Sequence, residues 1–182
     1  MSTFEAISTA NRPALFIFAF SLVPLLLLVS VVEGWSMIIL GESRAFGHIS
    51  KIPEGLAIKY EAAHFILDVL VTIFGAKFLI NVSRSFNVPA TWRQGFTTMA
   101  YGYSPVILLR LLDAIPQLNT WMCWGIGIVL SIMILYHGVG MVLRPDQTKG
   151  FGLYLFSIVF LVVFSGLAHF ISRAVLKGLV WK

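Results

Sequence analysis

The stretch Ala14-Leu15-Phe16-Ile17-Phe18-Ala19-Phe20-Ser21-Leu22-Val23-Pro24-Leu25-Leu26-Leu27-Leu28-Val29-Ser30-Val31-Val32 carries no charged residue, and apolar character continues past Glu33 to Leu40. A helix needs about 20 mostly apolar residues to cross the hydrocarbon core of a bilayer. Residues 14–40 are therefore predicted to be a membrane-spanning helix. Pro24 falls inside it, a defect that membrane helices tolerate when neighbouring groups satisfy the freed carbonyl.

The rest of the chain repeats the pattern. Of its 182 residues, 58% are hydrophobic and only 12% are charged, and the mean hydropathy is +0.90. A soluble domain averages about 25% charged residues, so this chain lacks the ions to wet an ordinary globular surface. Fifteen Phe, five Trp and five Tyr exclude a disordered chain. Further spans are read at 60–80, 96–115, 121–143 and 151–172. They are separated by polar connections at 41–59 and 81–94, a Pro116-Gln117-Leu118-Asn119 turn, and a link at 144–150. The expectation is an all-α polytopic transmembrane bundle of five helices, one membrane domain over residues 1–182, with no internal repeat. The N-terminal residues lack the positive region of a secretory signal, so the first span is expected to be retained.

Thirteen Lys and Arg against eight Asp and Glu give a net charge of +5. The cations stand singly between apolar runs, as interfacial anchors do, and no basic cluster suggests nucleic acid. With five spans, one side of the membrane carries Arg12, Lys77, Arg84, Arg93, Arg144 and Lys149. The other carries Arg44, Lys51, Lys59, Arg173, Lys177 and Lys182, with Arg110 close by. That balance decides nothing under the positive-inside rule; the uncharged turn at 116–119 favours a cytoplasmic N-terminus. Cys123 is the single cysteine, which excludes an internal disulfide and a thiolate metal cage.

Ionisable groups inside a bilayer are costly and mark candidate sites. Glu61, His64 and Asp68 stand at i, i+3 and i+7 of the second span, on one helical face. Glu61 and His64 have the Glu-x-x-His spacing of di-iron bundles, but neither His137 nor His169 has a glutamate three residues earlier. No metal is assigned. A metal or haem site drawing His64, His137 and His169 from three spans is an alternative. Asp68 is read as a helix-to-helix hydrogen-bonding group or, with His64, as part of a proton relay. Arg110 and Asp113 are spaced for an intrahelical ion pair. Gly138 and Gly140, with Gly125 and Gly127, are candidate close-packing positions, and Gly95, Gly102 and Pro105 predict an irregular third span.

The order of features Thr91-Trp92-Arg93-Gln94-Gly95-Phe96, Tyr101-Gly102-Tyr103-Ser104-Pro105, Ile115-Pro116, Trp121 and Tyr136-His137-Gly138-Val139 resembles the Yip family (Ypt-interacting proteins) of five-span membrane proteins over roughly residues 14–175. The resemblance implies a cytoplasmic N-terminus and an outside C-terminus. Eukaryotic relatives work in early secretory trafficking and contact small prenylated GTPases. This chain has only a short polar segment before Ala14 and lacks their Asp-Leu-Tyr-Gly-Pro element, so it is more similar to the short bacterial members. Those place it in a bacterial inner membrane and offer no catalytic residue.

The functional expectation is a non-enzymatic multi-pass interaction or scaffold protein, of the accessory-subunit kind, without a cofactor. Its partners would be membrane lipids and other integral membrane proteins or a second copy of itself. Conduction of protons, ions or small solutes along the face of Glu61, His64 and Asp68 is the alternative. No nucleophile motif suggests an enzyme.

Overall fold

The computed structural model describes residues 13–43 and 49–177. Among these residues, five helices follow one another up and down. Helix α1 spans Ala14–Ile39, α2 Glu54–Ser85, α3 Trp92–Leu109 with a 3-10 turn at Arg110–Ala114, α4 Thr120–Leu143, and α5 Gln147–Leu176. The fold is an all-α polytopic transmembrane bundle. Among the described residues, α1, α2, α4 and α5 are each long and apolar enough to cross a membrane. Helix α3 is the fifth and the most interior, burying an almost continuous run from Gly95 to Ile107. It packs chiefly on α4 and α2, while α2 also carries α5 and α1. Below, the end of the bundle holding the α1–α2 connection is the ribbon end, and the opposite end is the link end.

The two prolines inside helices show how the backbone accommodates a missing donor. Pro24 cannot donate to the carbonyl of Phe20, and its ring crowds that turn. The chain responds with a wider π turn at Phe18–Leu22, after which the regular helix resumes at Val23. Pro105 likewise leaves the Tyr101 carbonyl without its helical donor, and the Ser104 hydroxyl donates to it at 2.7 Å.

Element boundaries differ from expectation at several places, each for a local reason. Helix α2 is longer than 60–80. Pro53 sits at its N-cap, where a missing N–H costs nothing, and the chain leaves the helix at Phe86 with Asn87 left-handed at φ 55°. Helix α3 begins at Trp92 rather than 96 because Thr91 and Gln94 form a capping box: the Thr91 N–H donates to Gln94 Oε1 at 2.9 Å, and the Gln94 N–H donates to Thr91 Oγ1 at 3.3 Å. The link expected over 144–150 shrinks to residues 144–146, since α5 starts at Gln147. Within the connection at 41–59, Glu42–Ser43 and Ile49–Ser50 pair as a two-stranded antiparallel ribbon, Glu42 opposite Ser50. Residues 44–48, with Arg44, lie outside the described residues, as do Arg12 and Lys182.

The close approaches are made by glycines. A Cβ on Gly102 would lie 2.4 Å from Leu135 Cδ2, and one on Gly127 would lie 2.8 Å from the Val106 Cα. Gly127 thus lets α4 approach the α3 backbone, and Gly102 admits the Leu135 side chain of α4. Gly138 is buried on α4, whereas Gly140 is exposed and a Cβ there would meet nothing within 4 Å. Gly140 therefore makes no close helix contact through that face among the described residues.

Candidate functional site

Ionisable side chains converge in the half of the bundle nearer the ribbon end. Glu33 lies near the end of α1, Glu61, His64 and Asp68 lie on the first half of α2, and Arg110 lies where α3 tightens into its 3-10 turn. All are buried, Glu33 and Asp68 completely. The i, i+3, i+7 spacing on α2 turns its three polar residues to the interior.

Arg110 is the centre. Its Nη1 donates to Asp68 Oδ2 at 2.8 Å, its Nη2 to Glu33 Oε2 at 2.7 Å and to Glu61 Oε2 at 3.0 Å, and its Nε to Glu33 Oε2 at 3.1 Å. A guanidinium presents donors in a fixed planar fork, so one side chain holds carboxylates from two helices. Two tyrosines complete the shell: Tyr60 donates to Glu33 Oε1 at 3.0 Å, and Tyr103 to Asp68 Oδ1 at 2.5 Å. Gly34 makes room for the arrangement, since a Cβ there would lie 3.1 Å from Glu61 Cγ. Helices α1, α2 and α3 are thereby joined through one cation.

The ion pair expected between Arg110 and Asp113 is not made. The guanidinium is turned to the carboxylates of α1 and α2, because only there are its charge and donors matched away from water. Asp113 instead stands beside Cys123, which is buried.

An apolar cap closes the cluster at the ribbon end. Met37, Ile52, Ala57 and Tyr60 are buried together, with Ile38, Leu56 and Leu176 against them. The Ile52 N–H donates to the Met37 carbonyl at 3.1 Å. Arg173 of α5 forms an ion pair with Glu42 of the ribbon, and Ser36 of α1 donates to the Ala114 carbonyl. Toward the link end, Leu79, Met99 and Leu135 belong to the continuous apolar core.

Of the three span histidines, the structure brings two together. The rings of His64 and His169 are 5.8 Å apart, and His169 lies against Trp121 at 4.6 Å. His64 Nδ1 and His169 Nε2 are buried without a hydrogen-bond partner. His137 is exposed on α4, where Nδ1 lies 3.0 Å from the Met133 carbonyl oxygen, so the three do not form one ligand set. Among the described residues, no group of three or more His, Cys, Asp or Glu side chains could hold a metal ion. What this arrangement does chemically is hold helices together and carry charge.

The motif at 101–105 also acquires a physical reading. Gly102 admits Leu135, Tyr103 reaches Asp68, Ser104 serves the carbonyl that Pro105 leaves open, and the Tyr101 ring is half-buried against the core. Sequence reasoning missed Glu33 and Tyr60. Glu33 had a signal: a single acid inside an apolar span needs a partner, and Arg110 is the cation within the third span.

Fold and site together define a polytopic membrane bundle locked by a buried arginine–carboxylate cluster. Compared with known proteins, the chain matches no family model, no curated protein and no solved structure. The Yip resemblance therefore rests on the sequence motifs alone.

Proposed function

We propose that this chain is a non-enzymatic multi-pass membrane interaction protein, of the kind that serves as an accessory subunit or scaffold for other integral membrane proteins. The observation that carries the reading is the inward closure of the intramembrane charges. Glu33, Glu61, Asp68 and Arg110 engage one another between an apolar cap and an apolar core. The outer faces of the helices present side chains such as Phe20, Trp35, Met133 and Phe170. A surface of this kind meets lipid or another membrane protein. The Yip-like motifs agree with this task. Affinity isolation from gently solubilised membranes tests it: a reproducible membrane partner or a homo-oligomer is expected, and a clean monomer without a partner overturns it.

Burial also bears on orientation. Arg110 and Arg173 are engaged in ion pairs within the fold, so they are poor interfacial anchors. Over the full sequence that leaves Arg44, Lys51, Lys59, Lys177 and Lys182 on the ribbon side against Arg12, Lys77, Arg84, Arg93, Arg144 and Lys149 on the link side. That near-balance decides nothing under the positive-inside rule; the uncharged turn at 116–119 and the Yip-like motifs support a cytoplasmic N-terminus in a bacterial inner membrane.

A second reading has its own observation. Three carboxylates share one guanidinium in the cluster, and an uncompensated buried charge is expensive. Two protons or two monovalent cations restore the balance, which supports proton-linked conduction along the same face. Asp68→Asn in proteoliposomes with an internal pH dye tests it. Loss of proton flux supports conduction, and flux equal to that of protein-free vesicles before and after the substitution removes it.

A further inference from the structure

At the link end, α4 and α5 part to leave a groove of about 350 Å³ lined by Tyr136, Gly140, Pro145, Gly150, Phe151 and Tyr154. This volume is at the lower end of what small-molecule sites enclose. Tyr136 and Tyr154 meet edge to face at 5.3 Å. Gly140 opens the wall, since a Cβ there would touch nothing within 4 Å, and a Cβ on Gly150 would meet only Pro145 Cγ, at 3.2 Å. The groove begins at the short link and runs down both helices by about two turns, roughly 10 Å. That is the depth between a phospholipid headgroup and the start of its acyl chains, where amphipathic rings collect.

The link end around the groove is predominantly cationic. Among the described residues, the link half of the bundle carries Lys77, Arg84, Arg93, Arg144 and Lys149 against a single acid, Asp146, which pairs with Lys149 at 3.2 Å. Arg144, the residue before the lining Pro145, is exposed, in a left-handed conformation at φ 47° that ends α4. The first turn of α5 starts beside it without an acid, and the Asp146 side chain does not cap it. Its leading amides carry the positive end of the helix dipole.

We propose that this groove binds one anionic phospholipid, its phosphodiester held by Arg144 and the first turn of α5 and its glycerol backbone and upper acyl chain lying against Tyr136, Gly140, Phe151 and Tyr154. The inference is independent of the function proposed above. A zwitterionic lipid has the same tail but brings a cation to Arg144, so charge sets the preference.

The test is native mass spectrometry of the full chain released from nanodiscs of phosphatidylcholine doped with 10% phosphatidylglycerol. The wild type should retain one phosphatidylglycerol in preference to phosphatidylcholine. Arg144→Gln should lower that retention about fivefold, the effect of one cation at the membrane surface. Gly140→Trp should abolish it by filling the groove with an indole, at a position where nothing in the chain is displaced. Unchanged circular dichroism checks the fold of both variants. A diazirine on the acyl chain of the lipid should crosslink to residues 136–154. Equal retention of the two lipids by the wild type, retention unaffected by both substitutions, crosslinks confined to other helices, or displacement by dissolved glycerol 3-phosphate would each overturn the proposal. Should Gly140→Trp fail to fold, the Arg144→Gln retention and the crosslink map decide.

Discussion

Arg110 is the residue on which the interior depends, because three buried carboxylates take its donors and two of them have no exposure at all. Removing one partner of a buried ion pair costs about 3–5 kcal/mol, most of it the penalty for the charge left behind. Arg110→Met should destabilise the fold in detergent micelles by an amount in that range, read as a lower thermal midpoint. Neutralising two of the acids at the same time, with Glu33→Gln and Asp68→Asn, should recover much of the loss, since only the Glu61 carboxylate then stays buried in place of three. If the triple variant is no more stable than Arg110→Met alone, the cluster is not the electrostatic keystone described here. Asp68→Asn by itself should cost far less, about 1 kcal/mol, the scale of one altered hydrogen bond. It leaves Arg110 with Glu33 and Glu61, and Tyr103 with an acceptor.

The helices can be tested through their caps and their closest contact. Thr91→Ala removes one half of the capping box of α3 and should cost about 1 kcal/mol, read as a lower unfolding midpoint. Gly102→Ala places a methyl group 2.4 Å from a Leu135 methyl. Overpacking of this kind costs about 1–3 kcal/mol, and shortening the neighbour in Gly102→Ala with Leu135→Ala should restore part of it. A Gly102→Ala protein as stable as the wild type would show that α3 and α4 do not pack as closely as described. The capping box was legible in Thr91-Trp92-Arg93-Gln94 and fell inside a stretch read as loop, so the start of α3 was placed too late. The place of α3 in the centre was not legible, because its Thr, Ser, Gly and Pro content reads as a weak span until Gln94 is seen donating to the Val142 carbonyl at 3.0 Å.

For the molecule as a whole, orientation is the testable property. In a Cys123→Ala background, single cysteines at exposed Ser85 and Gln117 lie at opposite ends of the bundle. With the link end in the cytoplasm, a membrane-impermeant maleimide should label Gln117→Cys in cells with a permeable outer envelope. It should reach Ser85→Cys only after the inner membrane is opened. The reverse pattern would invert the topology, and labelling of both from one side would overturn the five-span path.

Hydrophobic length determined the class of this protein before any contact was known, since stretches as apolar as residues 14–32 can bury their backbone donors and acceptors in lipid only as helices. Periodicity likewise placed Glu61, His64 and Asp68 on one face of α2. Which face that was, and what it met, depended on residues far apart in sequence. Glu33 lies 77 positions from Arg110 and Asp68 lies 42. A buried guanidinium chooses its partners by fork geometry and the absence of water, so the neighbouring Asp113 lost to acids on other helices. Pairwise charge satisfaction in a dry interior is a property of the packed bundle, and only the tertiary structure could decide it.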